Sequence, residues 1–73
     1  MTIQEKISVL KKLQDKFKGD ESANEILDEA LYYLTDRPED FDGYDIDDLL
    51  EEARGACVNA LDSALEELRE EIS

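Results

Sequence analysis

A chain of 73 residues with 21 acidic side chains against eight Lys and Arg, a net charge of −13, has the length of one small domain and the wrong sign to bind nucleic acid directly. It has no His and a single Cys, which excludes a tetrahedral zinc site and a disulfide framework. No run approaches the roughly 18 apolar residues of a membrane span, and the first 19 residues lack the apolar core of a signal peptide, so the expected location is the cytoplasm.

Three helices are expected in chain order. Thr2-x-x-Glu5 reads as a capping box, and Ile3, Ile7, Leu10, Leu13 and Phe17 recur along one helical face until Gly19 stops it. Helix one is read over 3 to 18. Asp20 or Ser22 can cap helix two, with Ser22-x-x-Glu25 as a second box and Ile26, Leu27, Ala30, Leu31 and Leu34 as its stripe, over 22 to 35. Arg37-Pro38 breaks it, since a residue before proline is pushed out of helical geometry, and Asp42-Gly43 marks a turn. Asp45 then caps a long third helix running to about residue 71.

On a wheel at 100° per residue, Ile46, Leu49, Leu50, Ala53, Ala56, Cys57, Ala60, Leu61, Ala64, Leu65, Leu68 and Ile72 of that third helix fall within an arc of roughly 180°. A stripe just over 100° wide suffices for a helix on one core. The excess is expected to be covered from two sides, by the first two helices and by a second copy of the chain. Ala53, Ala56, Cys57, Ala60 and Ala64 form a ridge of small side chains that would let a partner helix approach closely. The alternative is packing within the chain. A domain this small hides only about 60% of its unfolded surface, so a homodimer through helix three would add to its core.

The charge is unevenly spread. Residues 1–19 carry five Lys against Glu5 and Asp15, a balance of +3, and the remainder carries three Arg against nineteen acids, a balance of −16. Seventeen positions, "DRPEDFDGYDIDDLLEE", hold nine carboxylates. Along the polar arc of helix three stand Asp45, Asp48, Glu51, Glu52, Asp62, Glu66 and Glu70, spanning roughly 38 Å at 1.5 Å per residue, close to the 34–36 Å of one turn of duplex DNA. Seven acid pairs stand four apart in the expected helices (21/25, 25/29, 47/51, 48/52, 62/66, 66/70, 67/71) and oppose folding by about 1.5–3.5 kcal/mol together. Glu66, Glu67, Glu70 and Glu71 also crowd a helix C-terminus, where the macrodipole favours cations, and only Arg69 answers them. A local rule broken this often points to a constraint other than folding. The competing reading is a solvated face, with the Lys-rich first helix lying against the acidic end of helix three.

Metal and catalytic chemistry find little support. Taking Asp40 as the first position of a calcium loop puts Asp42 third and Glu51 twelfth, which suit, but Tyr44 fifth and Asp45 sixth, where an oxygen ligand and a glycine belong. No cofactor is expected. Cys57 has no histidine partner and lies on the apolar arc, as a small core residue does. Gly19, Gly43 and Gly55 are isolated and make no phosphate-cradling loop. Gly55 falls on the acidic face of a helix, where it either bends the helix or leaves room for a partner's side chain. Among the aromatics, at least one of Tyr32 and Tyr33 is expected in the core and Phe41 folds back to cap the bundle. Tyr44, set among Asp42, Asp45 and Asp47, suits an interface anchor.

The expectation is therefore an all-α, three-helix, non-enzymatic domain that binds a basic nucleic-acid-binding protein through Asp40, Asp42, Tyr44, Asp45, Asp47, Asp48, Glu51, Glu52, Asp62, Glu66 and Glu70. In size, charge and helical pattern it resembles the small acidic DNA-mimic inhibitors carried by phages and mobile elements, such as anti-CRISPR and anti-restriction proteins. That resemblance rests on no shared motif, and it implies occlusion of a DNA or RNA groove in a host protein. The other reading is a helical interaction or immunity protein that neutralises a basic toxin or scaffolds a complex.

Overall fold

The computed structural model describes residues 1–72, and among them the chain is all-helical, with five helices: α1 (Ile3–Lys16), α2 (Glu21–Asp36), α3 (Pro38–Phe41), α4 (Ile46–Ala56) and α5 (Asp62–Ile72). α1 starts where its capping box predicts. Thr2 Oγ1 accepts from the Glu5 amide at 3.2 Å and the Glu5 carboxylate accepts from the Thr2 amide at 3.0 Å. That backbone hydrogen bond holds the Glu5 carboxyl below its ordinary value. α1 ends two residues earlier than expected: the Phe17 amide makes its last helical bond, to the Leu13 carbonyl at 2.8 Å, and the chain then turns through Gly19, with the Asp20 amide closing onto the Phe17 carbonyl at 2.9 Å.

Asp20, not Ser22, caps α2, its carboxylate accepting from the Ala23 amide at 3.0 Å. Asn24 locks the α1–α2 turn by donating through Nδ2 to the carbonyls of Phe17 and Asp20, at 2.5 and 2.9 Å. The break at Arg37-Pro38 is present, but it opens a four-residue helix and not a plain loop. Proline sits in the first turn of α3, where its missing N–H costs nothing. This turn brings Phe41 onto Tyr33, rings stacked with centroids 4.3 Å apart, and Phe41 caps the bundle as anticipated.

Helix three is not one element. Asp45 caps it as expected, its side chain accepting from the Asp48 amide at 2.8 Å, but the helix stops at Ala56 and Cys57 turns to extended backbone (φ −102°, ψ 109°). A second helix begins at Asp62, with the Ala64 and Leu65 amides closing onto the Leu61 carbonyl at 3.1 and 3.3 Å. The physical reason is burial. An unbroken helix of that length would run about 40 Å, whereas the whole fold measures 29 × 22 × 18 Å. Breaking at 57–61 folds Leu65 and Leu68 back into the core that already holds Leu49 and Leu50. Gly55, Val58 and Asn59, all weak helix formers, make this the cheapest place to stop.

The break also accounts for the width of the apolar arc. It is the sum of two narrower stripes, on two helices that each pack on α2 and on one another. Four of the five small residues expected at a dimer seam are used inside the chain. Ala53, Cys57, Ala60 and Ala64 are buried and only Ala56 of that ridge is exposed, whereas Val58 and Leu61, the latter expected on the apolar stripe, are 94% and 59% exposed. Gly55 is exposed one residue before the end of α4, and a side chain there would meet nothing.

Tyr33 is 6% exposed. Burial, then its hydrogen bond to Glu29 and the nearby charges of Glu29 and Glu52, push its phenol up from 10.0 to about 12. The unfolded chain ionises this phenol first, so the stability it confers is complete below pH 10.0 and drains away as pH rises toward about 12. In an alkaline titration of tyrosinate absorbance, one of the three tyrosines should ionise late, near pH 12, and Tyr33→Phe should remove that step. A titration that Tyr33→Phe leaves with its late step intact would contradict the assignment.

Candidate functional site: an acidic basin

Five of the eleven residues expected at the interface come together. Asp40 at the end of α3, Tyr44 in the following loop, and Asp48, Glu51 and Glu52 on the first turns of α4 line, with Gly43, a shallow basin of about 540 Å³. The loop can turn so tightly into α4 because the Tyr44 amide closes onto the Phe41 carbonyl at 3.1 Å and Asp45 caps the helix immediately after. Tyr44 leans on Phe41 edge to face, centroids 4.9 Å apart, so it is half-buried and held in place.

The carboxylates of the basin are not equivalent. Asp40 lies 3.1 Å from Arg37, and Glu51 lies 3.2 Å from Arg69. Asp48 and Glu52, one helical turn apart on α4, have no cation within ion-pair distance among the described residues.

The other six residues lie outside the basin. Asp45 caps α4 through one carboxylate oxygen and faces away from the basin lining. Asp42 is exposed beside the basin. Asp47 faces α5, where Arg69 Nε donates to it at 2.5 Å and holds its carboxyl below the ordinary range. Arg69 therefore answers α4 as well as its own helix, where Glu66 stands 3.9 Å away. Asp62 pairs with Arg54 at 3.0 Å, and Glu70 is exposed on α5. All seven like-charge pairs survive the break, because none spans residues 57–61. The Lys-rich first helix does reach the acidic end of α5, through an ion pair from Lys16 to Glu71.

One residue that shapes the site escaped the sequence reading. Lys6 is 5% exposed, and its Nζ donates to the carbonyls of Asp42 (3.2 Å) and Tyr44 (2.5 Å), tying α1 to the acidic loop. Its signal was available: Lys6 stands four residues before Leu10 and seven before Leu13, on the apolar face. Lys6→Met, which keeps the aliphatic stem and removes the donor, should destabilise the domain by about 1–3 kcal/mol and speed amide exchange in the 42–45 loop. Unaltered exchange there would mean that the loop holds itself.

Among the described residues no group of three or more His, Cys, Asp or Glu side chains is arranged to hold a metal ion, and no helix is long and apolar enough to cross a membrane. Cys57 is buried with its thiol toward the Glu25 carbonyl at 3.5 Å, and burial pushes its thiol up, away from the reactive thiolate. The sequence matches no protein-family model, and no curated protein or solved structure is significantly similar to it.

Proposed function

We propose that the protein is a non-catalytic inhibitor that sets its acidic basin against the basic surface of a nucleic-acid-binding partner, occluding that surface as a partial nucleic-acid mimic of the phage or mobile-element anti-defence type. The observation that carries this is the pair Asp48 and Glu52. They stand on a helix, beside a half-buried tyrosine, in a chain of net charge −13, without an ion-pair partner among the described residues. Carboxylates without a cation to give up favour an incoming basic surface, and they steer its approach. The 29 Å long axis is shorter than one duplex turn of about 34–36 Å, so the mimicry extends over part of a turn.

A second reading, an interaction or immunity protein that neutralises a basic toxin or scaffolds a complex without mimicry, is favoured by the gathering of the acids into a basin instead of a line. Competition separates the two. Partner captured from a bacterial lysate should be released by excess duplex DNA under the first reading and retained under the second.

A further inference from the structure

A second concavity adjoins the basin, with Gly43 and Tyr44 lining both. α1 packs chiefly on α2, and α5 packs on α4 and α2, so α1 and α5 flank a wedge that neither fills, bridged at one end by the Lys16–Glu71 ion pair. The wedge is a groove of about 710 Å³ whose apolar floor includes Val9, Leu13, Tyr44, Ile46 and Ile72. Its lips differ in sign. Lys12 stands on the α1 side, and Asp45 on the opposite side at the start of α4.

We propose that this groove seats one amphipathic helix of a partner protein, its apolar edge on the floor, an acidic flank against Lys12 and a basic flank against Asp45. A helix is the occupant that fits. An extended peptide would lay unsatisfied backbone groups on an apolar floor, and among the described residues there is no strand edge to receive them. A helix satisfies its own backbone, and with side chains it is about 10–12 Å across. A second copy would bring a charge of −13 against −13, and an anionic membrane surface is repelled for the same reason. A partner helix with flanks of opposite sign meets both lips favourably. The inference does not rest on the proposed function: the two sites share Gly43 and Tyr44, but the carboxylates Asp48, Glu51 and Glu52 that carry the basin do not line the groove.

The test uses the full chain and a synthetic end-capped helix-forming peptide, with Leu at i, i+3, i+4 and i+7, Glu along one flank and Lys along the other. It is compared with the same scaffold carrying Lys on both flanks. The two-signed peptide should bind and gain helicity. Val9→Gln, at a half-buried floor position, and Lys12→Glu, on the exposed lip, should each weaken it by about fivefold or more with unchanged melting curves. Asp48→Asn, Glu51→Gln and Glu52→Gln together should leave this binding intact while reducing any binding through the basin. Should Val9→Gln disturb the fold, Lys12→Glu alone decides. Absence of peptide binding would overturn the inference, as would equal loss in the basin variant, which indicates charge attraction alone. Sedimentation of the wild type as a dimer that Val9→Gln dissociates would overturn it in favour of a second copy.

Discussion

Replacing Asp48, Glu51 and Glu52 together by Asn, Gln and Gln should weaken binding of the basic partner at least tenfold, about 1.4 kcal/mol, while leaving the fold as stable as before or more so. The binding loss follows because each carboxylate contributes modestly and their field acts collectively, so the deficit should shrink at high salt. The stability gain follows because the 47/51 and 48/52 repulsions disappear, at roughly 0.2–0.5 kcal/mol each. One term opposes it: Glu51 gives up its contact with Arg69, although Asp47 retains that guanidinium. A solvated face without function predicts unchanged affinity, and a structural role for the basin predicts a lower melting temperature. Isotherms and melting curves of this one variant at two salt concentrations separate the three, and unchanged affinity at low salt would end the proposal for the basin.

Ala60→Glu should abolish cooperative folding, whereas Val58→Glu, two residues earlier, should change stability by no more than about 0.5 kcal/mol. Ala60 is 2% exposed in the turn that reverses α4 into α5, where an unpaired carboxylate would be forced against Ala64 and the rest of the core or expel the turn from it. An uncompensated buried charge costs about 3–5 kcal/mol, most of what a domain this small has. Val58 points to water, and a glutamate there meets nothing. Circular dichroism melts of the two variants check this directly. A folded monomeric Ala60→Glu, derived from a dimeric wild type, would instead return these small residues to a seam between two copies.

Much of the molecule was legible because its signals are local. The Thr2 capping box, the Asp45 cap, the stripe from Ile26 to Leu34 and the proline break each act within about one helical turn, and each appears where its residues stand. The clustering of candidate interface residues at 40–52 was legible for the same reason, since a short helix, a tight loop and a capped helix hold near neighbours together. What misled was periodicity carried across residues 57–61. Both halves keep an apolar repeat, and a repeat says which face is buried without saying whether the helix that carries it is continuous.

By itself, then, the chain determined helical class, the faces that are buried, the sign asymmetry and the crowding of acids around Gly43, all properties of composition and near-neighbour spacing. Only the tertiary structure decided that helix three folds back, because the gain lies in seating Leu65 and Leu68 against residues far away in sequence. It also decided the fate of individual charges. Asp47 was claimed by Arg69, twenty-two positions on, and Lys6 was drawn inward to two loop carbonyls, while Asp48 and Glu52 were left facing solvent. Ion pairs and buried donors are settled by which surfaces meet, and that is a property of packing that no single helix wheel contains.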